Sequence, residues 1–297
     1  MPENKITQER KDSGSAVPMQ TWDTSSHENF LKYYEQESLA PKTLDRFRAI
    51  GQALLRQIQD VTNQRKLDVL DIGCGAGAQC NFWLEAGHHY SGVDVNQPLI
   101  ELARERARHL NLSAHFDVAT ATALPFPNES IDICLLTGII EHVVDWQACV
   151  NEAARVLRPG GLLYILTTNV LSPRQEEMNL PLYSWYPASL KRYIERRAVT
   201  DWPAVANYAK YPAVHWFSYF SLRRYLAPIG FVSLDRFDYM NLADRDSVAL
   251  AMINIIRKVT FVRWLGHVLT PTTTLIGKKL PLETVHKQRS VGIEGME

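Results

Sequence analysis

The chain of 297 residues carries no excess of charge: 32 Lys and Arg stand against 32 Asp and Glu. Without a global field to draw in a polyanion, nucleic acid is not an expected partner. Cysteine is scarce. Cys74, Cys80, Cys134 and Cys149 are scattered with no CxxC pair, which argues for reduced thiols in a cytoplasmic protein and against a thiolate metal site. No stretch reaches the ~18 uninterrupted apolar residues of a membrane span. The polar first 26 residues lack the apolar core of a secretory signal and read as a loose tail. No internal repeat is visible.

What is present is a regular alternation. Residues from Glu28 to Val61 form a helical stripe that Pro41 splits in two. Strand and helix patterns then take turns. Strands are expected at Leu67 to Ile72, Tyr90 to Val95, Ser113 to Val118, Ile131 to Thr137 and Leu162 to Thr167. Helices are expected at Ala78 to Ala86, Leu99 to Leu110 and Trp146 to Leu157, the last stopped by Arg158-Pro159-Gly160-Gly161. Two further strands, Gly230 to Tyr239 and Pro271 to Lys279, would complete a seven-stranded sheet. Such alternation implies a doubly wound, mostly parallel α/β sheet of Rossmann-like type, with ligands at the carboxyl ends of the strands. Between residues 169 and 228 the pattern gives way to a stretch rich in Tyr, Trp and Pro, too long for a plain connection. It reads as an inserted cap on a core spanning 27–168. The last strands and an apolar helical insertion occupy 229–297.

The most informative run is Val69-Leu70-Asp71-Ile72-Gly73-Cys74-Gly75-Ala76-Gly77. A buried strand ends in an acid and three alternate glycines, a loop whose main chain a ligand can touch. Asp94 follows at about the distance where nucleotide-binding folds place a ribose acceptor (~20 residues). Such a loop suits a nicotinamide, a flavin or S-adenosylmethionine. The spacing Gly-x-Gly-x-Gly departs from the dinucleotide GxGxxG and favours a compact amino-acid moiety, with Asp71 available to an ammonium.

Taken with Gly92-Val93-Asp94, Ala123-Leu124-Pro125-Phe126 before Ser130-Ile131-Asp132-Ile133, Glu141-His142-Val143 and Leu157-Arg158-Pro159-Gly160-Gly161-Leu162, the loop resembles the class I S-adenosylmethionine-dependent methyltransferases, in the group that holds the ubiquinone-biosynthesis O-methyltransferases. The resemblance covers about Arg65 to Thr168. It implies an S-adenosylmethionine cofactor held by Asp71, Gly73, Cys74, Gly75 and Gly77. Asp94 and Val95 would serve the ribose, Thr120 and Ala121 the adenine, and Thr137 the fourth strand's exit. Thr120 stands where relatives carry an acid, and a hydroxyl accepts more weakly than a carboxylate.

Methyl transfer needs an aligned acceptor, and a base only if the acceptor must lose a proton. His142 and His215 are the candidates for that base, each with a plain packing role as its alternative. Glu141 can face cofactor or substrate, or bond its own loop. Tyr183, Trp185, Tyr186, Tyr208 and Tyr211 of the cap are candidate walls for a small aromatic or lipid-like acceptor, or simply its core. Tyr33 and Tyr34 can close over the cofactor or pack their helix. Glu141 and Asp145 alone do not define a cation site, so no metal is expected. The apolar, partly basic stretch 248–269 can lie peripherally on a membrane or bury its apolar side against the sheet or a second subunit. Nicotinamide-dependent oxidoreduction and a non-enzymatic cofactor-binding role are the alternatives. No Asn/Asp-Pro-Pro-Tyr run of the kind used in base-amino methylation is present. The acceptor and the oligomeric state are not written in these motifs.

Overall fold

The computed structural model describes residues 34–62, 65–175, 177–206, 213–243 and 246–281. Seven strands form one sheet in the order β3-β2-β1-β4-β5-β7-β6. They are β1 (Asp68–Ile72), β2 (His89–Asp94), β3 (His115–Val118), β4 (Ile131–Thr137), β5 (Leu157–Thr168), β6 (Phe231–Asp235) and β7 (Thr272–Lys279). The first five are parallel, and β7 runs antiparallel between β5 and β6. The order reverses between β1 and β4, so the loops leaving those two strands diverge and open a crevice at their carboxyl ends.

Both faces of the sheet are covered, which is why the central strands carry runs of consecutive apolar residues, such as Ile133 to Leu136 of β4, rather than a strict alternation. On β4, Ile133 and Leu135 point to one face and Cys134 and Leu136 to the other. The first face is closed by α1 (Pro41–Thr62), α2 (Cys80–Glu85) and α3 (Gln97–His109), through Leu54, Trp83 and Ile100. The second is closed by α4 (Trp146–Val156) and α6 (Tyr219–Leu226), through Val150, Ala153 and Leu222. All four cysteines are buried and free, as reduced thiols require.

Two boundaries differ from the sequence reading by more than two residues. Arg158 to Gly161 are not a stop before a new strand: β5 starts at Leu157, and a register shift opposite Ile131 and Ile133 absorbs the Pro-Gly-Gly run. The strand expected over Gly230 to Tyr239 ends at Asp235. That side chain accepts from the amides of Phe237 and Asp238 and so starts the short helix α7 (Arg236–Tyr239). The capping role of an Asp outweighed the strand pattern.

The insertion after β5 has a small core of its own, in which Met178, Tyr183, Ile194, Ala198 and Val205 pack around α5 (Ala188–Thr200). A second insertion, α8 (Ser247–Lys258) and α9 (Thr260–Val268), stands between α7 and β7. No helix among the described residues is long and apolar enough to cross a membrane.

Gly92 of β2 is pressed against the glycine loop. A Cβ there would stand 2.7 Å from the Cys74 sulfur and 2.9 Å from a Phe116 ring carbon. Gly92→Ala therefore overpacks a junction with no room to give, and urea unfolding should show a loss of ~1–3 kcal/mol.

Candidate functional site

The glycine loop is pinned to the neighbouring strand. The amides of Gly73 and Cys74 both donate to the Val93 carbonyl, at 2.8 and 3.0 Å. Gly73 and Gly75 have φ of 75° and 52°, a region that favours glycine. Neither has space for a side chain: a Cβ on Gly73 would meet Ile139 at 2.3 Å, and one on Gly75 would meet the Tyr34 ring at 2.5 Å. Tyr34 thus lies against the loop. Its carbonyl accepts from Arg106 of α3, which also donates to the Ala76 carbonyl. Tyr33 lies outside the described residues.

Two carboxylates flank the loop, and their surroundings differ. Asp94 accepts one amide on each oxygen, from Gly75 and Asn96, both at 2.9 Å. Each oxygen keeps lone-pair capacity for a hydroxyl. Val95 beside it is exposed. Asp71 is buried, and its Oδ2 accepts from Tyr90 at 2.7 Å and Gln79 at 3.1 Å. Its Oδ1 has no hydrogen-bond partner. Burial pushes this carboxyl up to about 7, against the stabilising pull of Tyr90 and Gln79. A buried, half-satisfied carboxylate suits a cationic ligand group, which would supply the missing donor. Gln79 also reaches Thr137 at 3.4 Å, so one amide spans the crevice between the ends of β1 and β4. Thr120 is exposed, bridged to Ala123 and 2.9 Å from the Thr122 hydroxyl; Ala121 is buried beneath it.

The exit of β4 leads from the loop to the insertion. Ile139 touches Gly73, and two residues on Glu141 is buried, its Oε2 accepting from Thr167 at 2.8 Å. The Glu141 carbonyl accepts from the amides of Val214 and His215, so the same residue holds the cap in place. Ligand atoms of Glu141, His142 and Glu177 lie within 4.8 Å of one another. Burial raises the Glu141 carboxyl to about 8, and the nearby Glu177 charge adds to the rise. Asp145, weighed with Glu141 as a cation ligand, is instead the N-cap of α4, accepting from Ala148 at 2.9 Å. Glu177 takes the place the sequence reading gave to Asp145.

The remaining candidates fall elsewhere. His215 Nε2 lies 3.1 Å from the Val144 carbonyl and so donates there, which leaves only Nδ1 to take a proton. Tyr183 is fully buried in the insertion's core, hydrogen-bonded to Glu195, and Tyr186 packs on it at 5.5 Å. Of the two readings of Tyr183, pocket wall or cap core, the packing of its ring with Trp216 and Lys191 matches the second. Trp185 is exposed and donates to the Leu171 carbonyl. Tyr208 and Tyr211 lie outside the described residues. Gln79, Thr167 and Glu177 are site residues the sequence reading did not name. Gln79 alone carried a signal, being the first long polar side chain after the glycines.

Comparison with known proteins points to a methyltransferase domain. Residues 70–165 match the family model described as "Methyltransferase domain". A ubiquinone biosynthesis O-methyltransferase from Bartonella tribocorum is 39% identical over 103 residues, 35% of this chain and 42% of that protein. An uncharacterized methyltransferase from Mycolicibacterium gilvum is 37% identical over 136 residues, 46% of this chain and 52% of the relative. The chain thus spans about half the length of these relatives, or less. Among solved structures, the Haloferax volcanii methyltransferase in complex with the Trm112 activator aligns with a TM-score of 0.50 at 16% identity, covering 85% of this chain and 98% of that one. The CurJ carbon methyltransferase aligns at 0.52 and 12% identity, covering 84% and 58%. These two likenesses are of fold.

A native carboxyl that holds its proton up to about pH 8, against an unfolded value near 4.5, makes the native state bind more protons in that window. Stability then falls as pH rises from about 4.5 to 8. Glu141→Gln keeps an acceptor for Thr167 and removes the titration. Urea unfolding should show a decline across this window in the native protein, of ~1.4 kcal/mol for each pH unit in which only the native carboxyl is protonated. The variant should show a clearly flatter profile.

Proposed function

We propose, from the class I S-adenosylmethionine-dependent methyltransferase domain that this chain carries, that the protein transfers a methyl group from S-adenosylmethionine to a hydroxyl or amine of a small molecule. The observation that carries the donor assignment is the pair of carboxylates around the glycine loop. Asp94 offers both oxygens to ribose hydroxyls. Asp71 offers an unsatisfied oxygen to the ammonium of the methionyl part, and the glycine loop whose Gly75 amide Asp94 accepts runs between them. The sulfonium supplies the electrophilic methyl. This chain's part is to align the acceptor and to take up its proton.

The cluster of Glu141, His142 and Glu177 is the best-supported place for that proton. It follows Ile139, which touches the loop, and the cap closes on it through residues 214 and 215. Burial lets Glu141 hold a proton up to about pH 8, so the cluster can keep one near neutral pH. Of the two candidate histidines, His142 suits the acceptor role better, because it is the one gathered with Glu141 and Glu177. The same donor set also fits a divalent cation, which would orient an acceptor with adjacent oxygens. Loss of turnover on EDTA treatment, restored by magnesium, would favour the cation; turnover indifferent to EDTA would favour direct proton uptake. The aromatic residues of the cap support an aromatic or lipid-like acceptor through Tyr186 and Trp216 rather than through Tyr183.

Calorimetry checks the donor. S-adenosylhomocysteine should bind and NAD should not. Asp94→Ala should weaken S-adenosylhomocysteine by ~10- to 100-fold, the worth of hydrogen bonds to a charged group. Binding of NAD alone would sink the reading. A mass-shift screen of a metabolite extract with labelled S-adenosylmethionine then identifies the acceptor. In that assay His142→Gln should cut kcat by ~100-fold or more while His215→Gln leaves it within a few-fold.

A further inference from the structure

We propose that the outward face of α8 and α9 docks on an anionic lipid surface. The reading concerns a face of the molecule distinct from the glycine loop and does not depend on the reaction.

The two helices are fastened inward by their polar residues. Arg263 pairs with Asp235 and Asp238. His267 donates to Asp235 at 2.9 Å and stacks on Tyr219. Arg257 donates to the carbonyls of Phe237 and Asp238. With those groups spent on the anchor, most of the large side chains that face solvent are apolar. Met252 is 59% exposed, Ile255 51%, Phe261 68% and Leu269 67%, and Trp264 stacks beside Phe261 at 6.0 Å. Amphipathic helices of soluble proteins do the reverse. Single exposed apolar residues need no explanation, but a continuous row on two successive helices marks an interaction surface.

Charge selects the occupant. From Ser247 to Leu282 the chain has five Lys and Arg and no Asp or Glu. Lys258, at the junction of the two helices, is exposed. So are Arg223 and Arg224 on α6, whose Phe220 packs on His267. None of these three cations has an ion-pair partner among the described residues. The exposed acid at the far end of α8, Asp246, is spent capping that helix, so a two-fold pairing of this face that opposed Lys258, Arg223 and Arg224 would bring cation to cation. A layer of anionic headgroups answers the charge, while Phe261, Trp264 and Leu269 enter the acyl boundary, the geometry of an interfacial helix. Val259 closes α8 and opens α9, so the pair is a continuous bent element. Neither helix is long enough to cross the bilayer; the pair would lie in its plane.

Flotation of the whole protein with vesicles tests this. It should float with phosphatidylcholine vesicles containing phosphatidylglycerol, less with phosphatidylcholine alone, and less as salt is raised. Phe261→Ser with Trp264→Ser should weaken binding by ~10-fold or more, and Lys258→Glu by ~5-fold or more. Both variants should keep the wild-type melting curve, since neither touches the Asp235 anchor. Calorimetry with S-adenosylhomocysteine on the same samples reports the donor site separately, so failure of one reading leaves the other standing. Absence of flotation with anionic vesicles at low salt would overturn the proposal. So would a wild-type dimer in sedimentation equilibrium that the Phe261 and Trp264 substitutions dissociate, since that would make the face a subunit interface.

Discussion

Two amide donors converge on one carbonyl, that of Val93, and the donor site is assembled around that junction. Gly73 and Cys74 can both reach it only because the chain turns at once after β1. The turn demands residues without a Cβ, since Ile139 fills the space beside Gly73 and Tyr34 the space beside Gly75. With the loop drawn onto β2, the Gly75 amide falls on Asp94 and the two carboxylates come to flank the same segment. Local backbone chemistry thus positions two side chains that are 23 residues apart in sequence. Removing the convergence would not delete a contact with a ligand. It would let the loop relax and scatter the groups that make the contact, which is the larger effect in a preorganised site.

Glu141 plays an equivalent part for the other half of the crevice. Its carbonyl takes two amides from the cap and its carboxyl takes the Thr167 hydroxyl. One residue therefore joins β4, β5 and the insertion, and it does so in a place where ionisation is costly. A purely structural link would be cheaper with a neutral acceptor such as Gln. Keeping a carboxyl there, within reach of His142 and Glu177, makes sense if the protonation state is itself used.

The parts of this arrangement legible in sequence are those imposed by the backbone or by two-sided burial. β1, β4 and β5 announce themselves because both faces of the sheet are covered. The loop does so because only glycine tolerates its conformation. What failed to show was set by side chains meeting across long separations. Glu177 sits in an unremarkable Glu-Glu-Met run, and only folding of the insertion brings it to Glu141. Tyr183 and Trp185 looked equivalent on the page of letters; one is buried and the other exposed because the short 3-10 turn over Tyr183–Trp185 sends them in opposite directions. Asp235 was read within a strand because hydrophobic alternation does not distinguish an inward acid from a cap.

That same Asp235 explains how α8 and α9 can hold an apolar face to solvent without collapsing onto the sheet. A helix pair held only by hydrophobic contact would be free to roll until its apolar side was covered. Here Arg263 and His267 close on a fully buried carboxylate whose own ionisation they favour, holding it down to about 2. Rolling the pair would strip both partners from a buried charge, a loss of several kcal/mol once the charge is uncompensated. The gain from covering a few half-exposed side chains is of the same order or smaller. The charge network fixes the orientation, and the orientation is what leaves the apolar face outward.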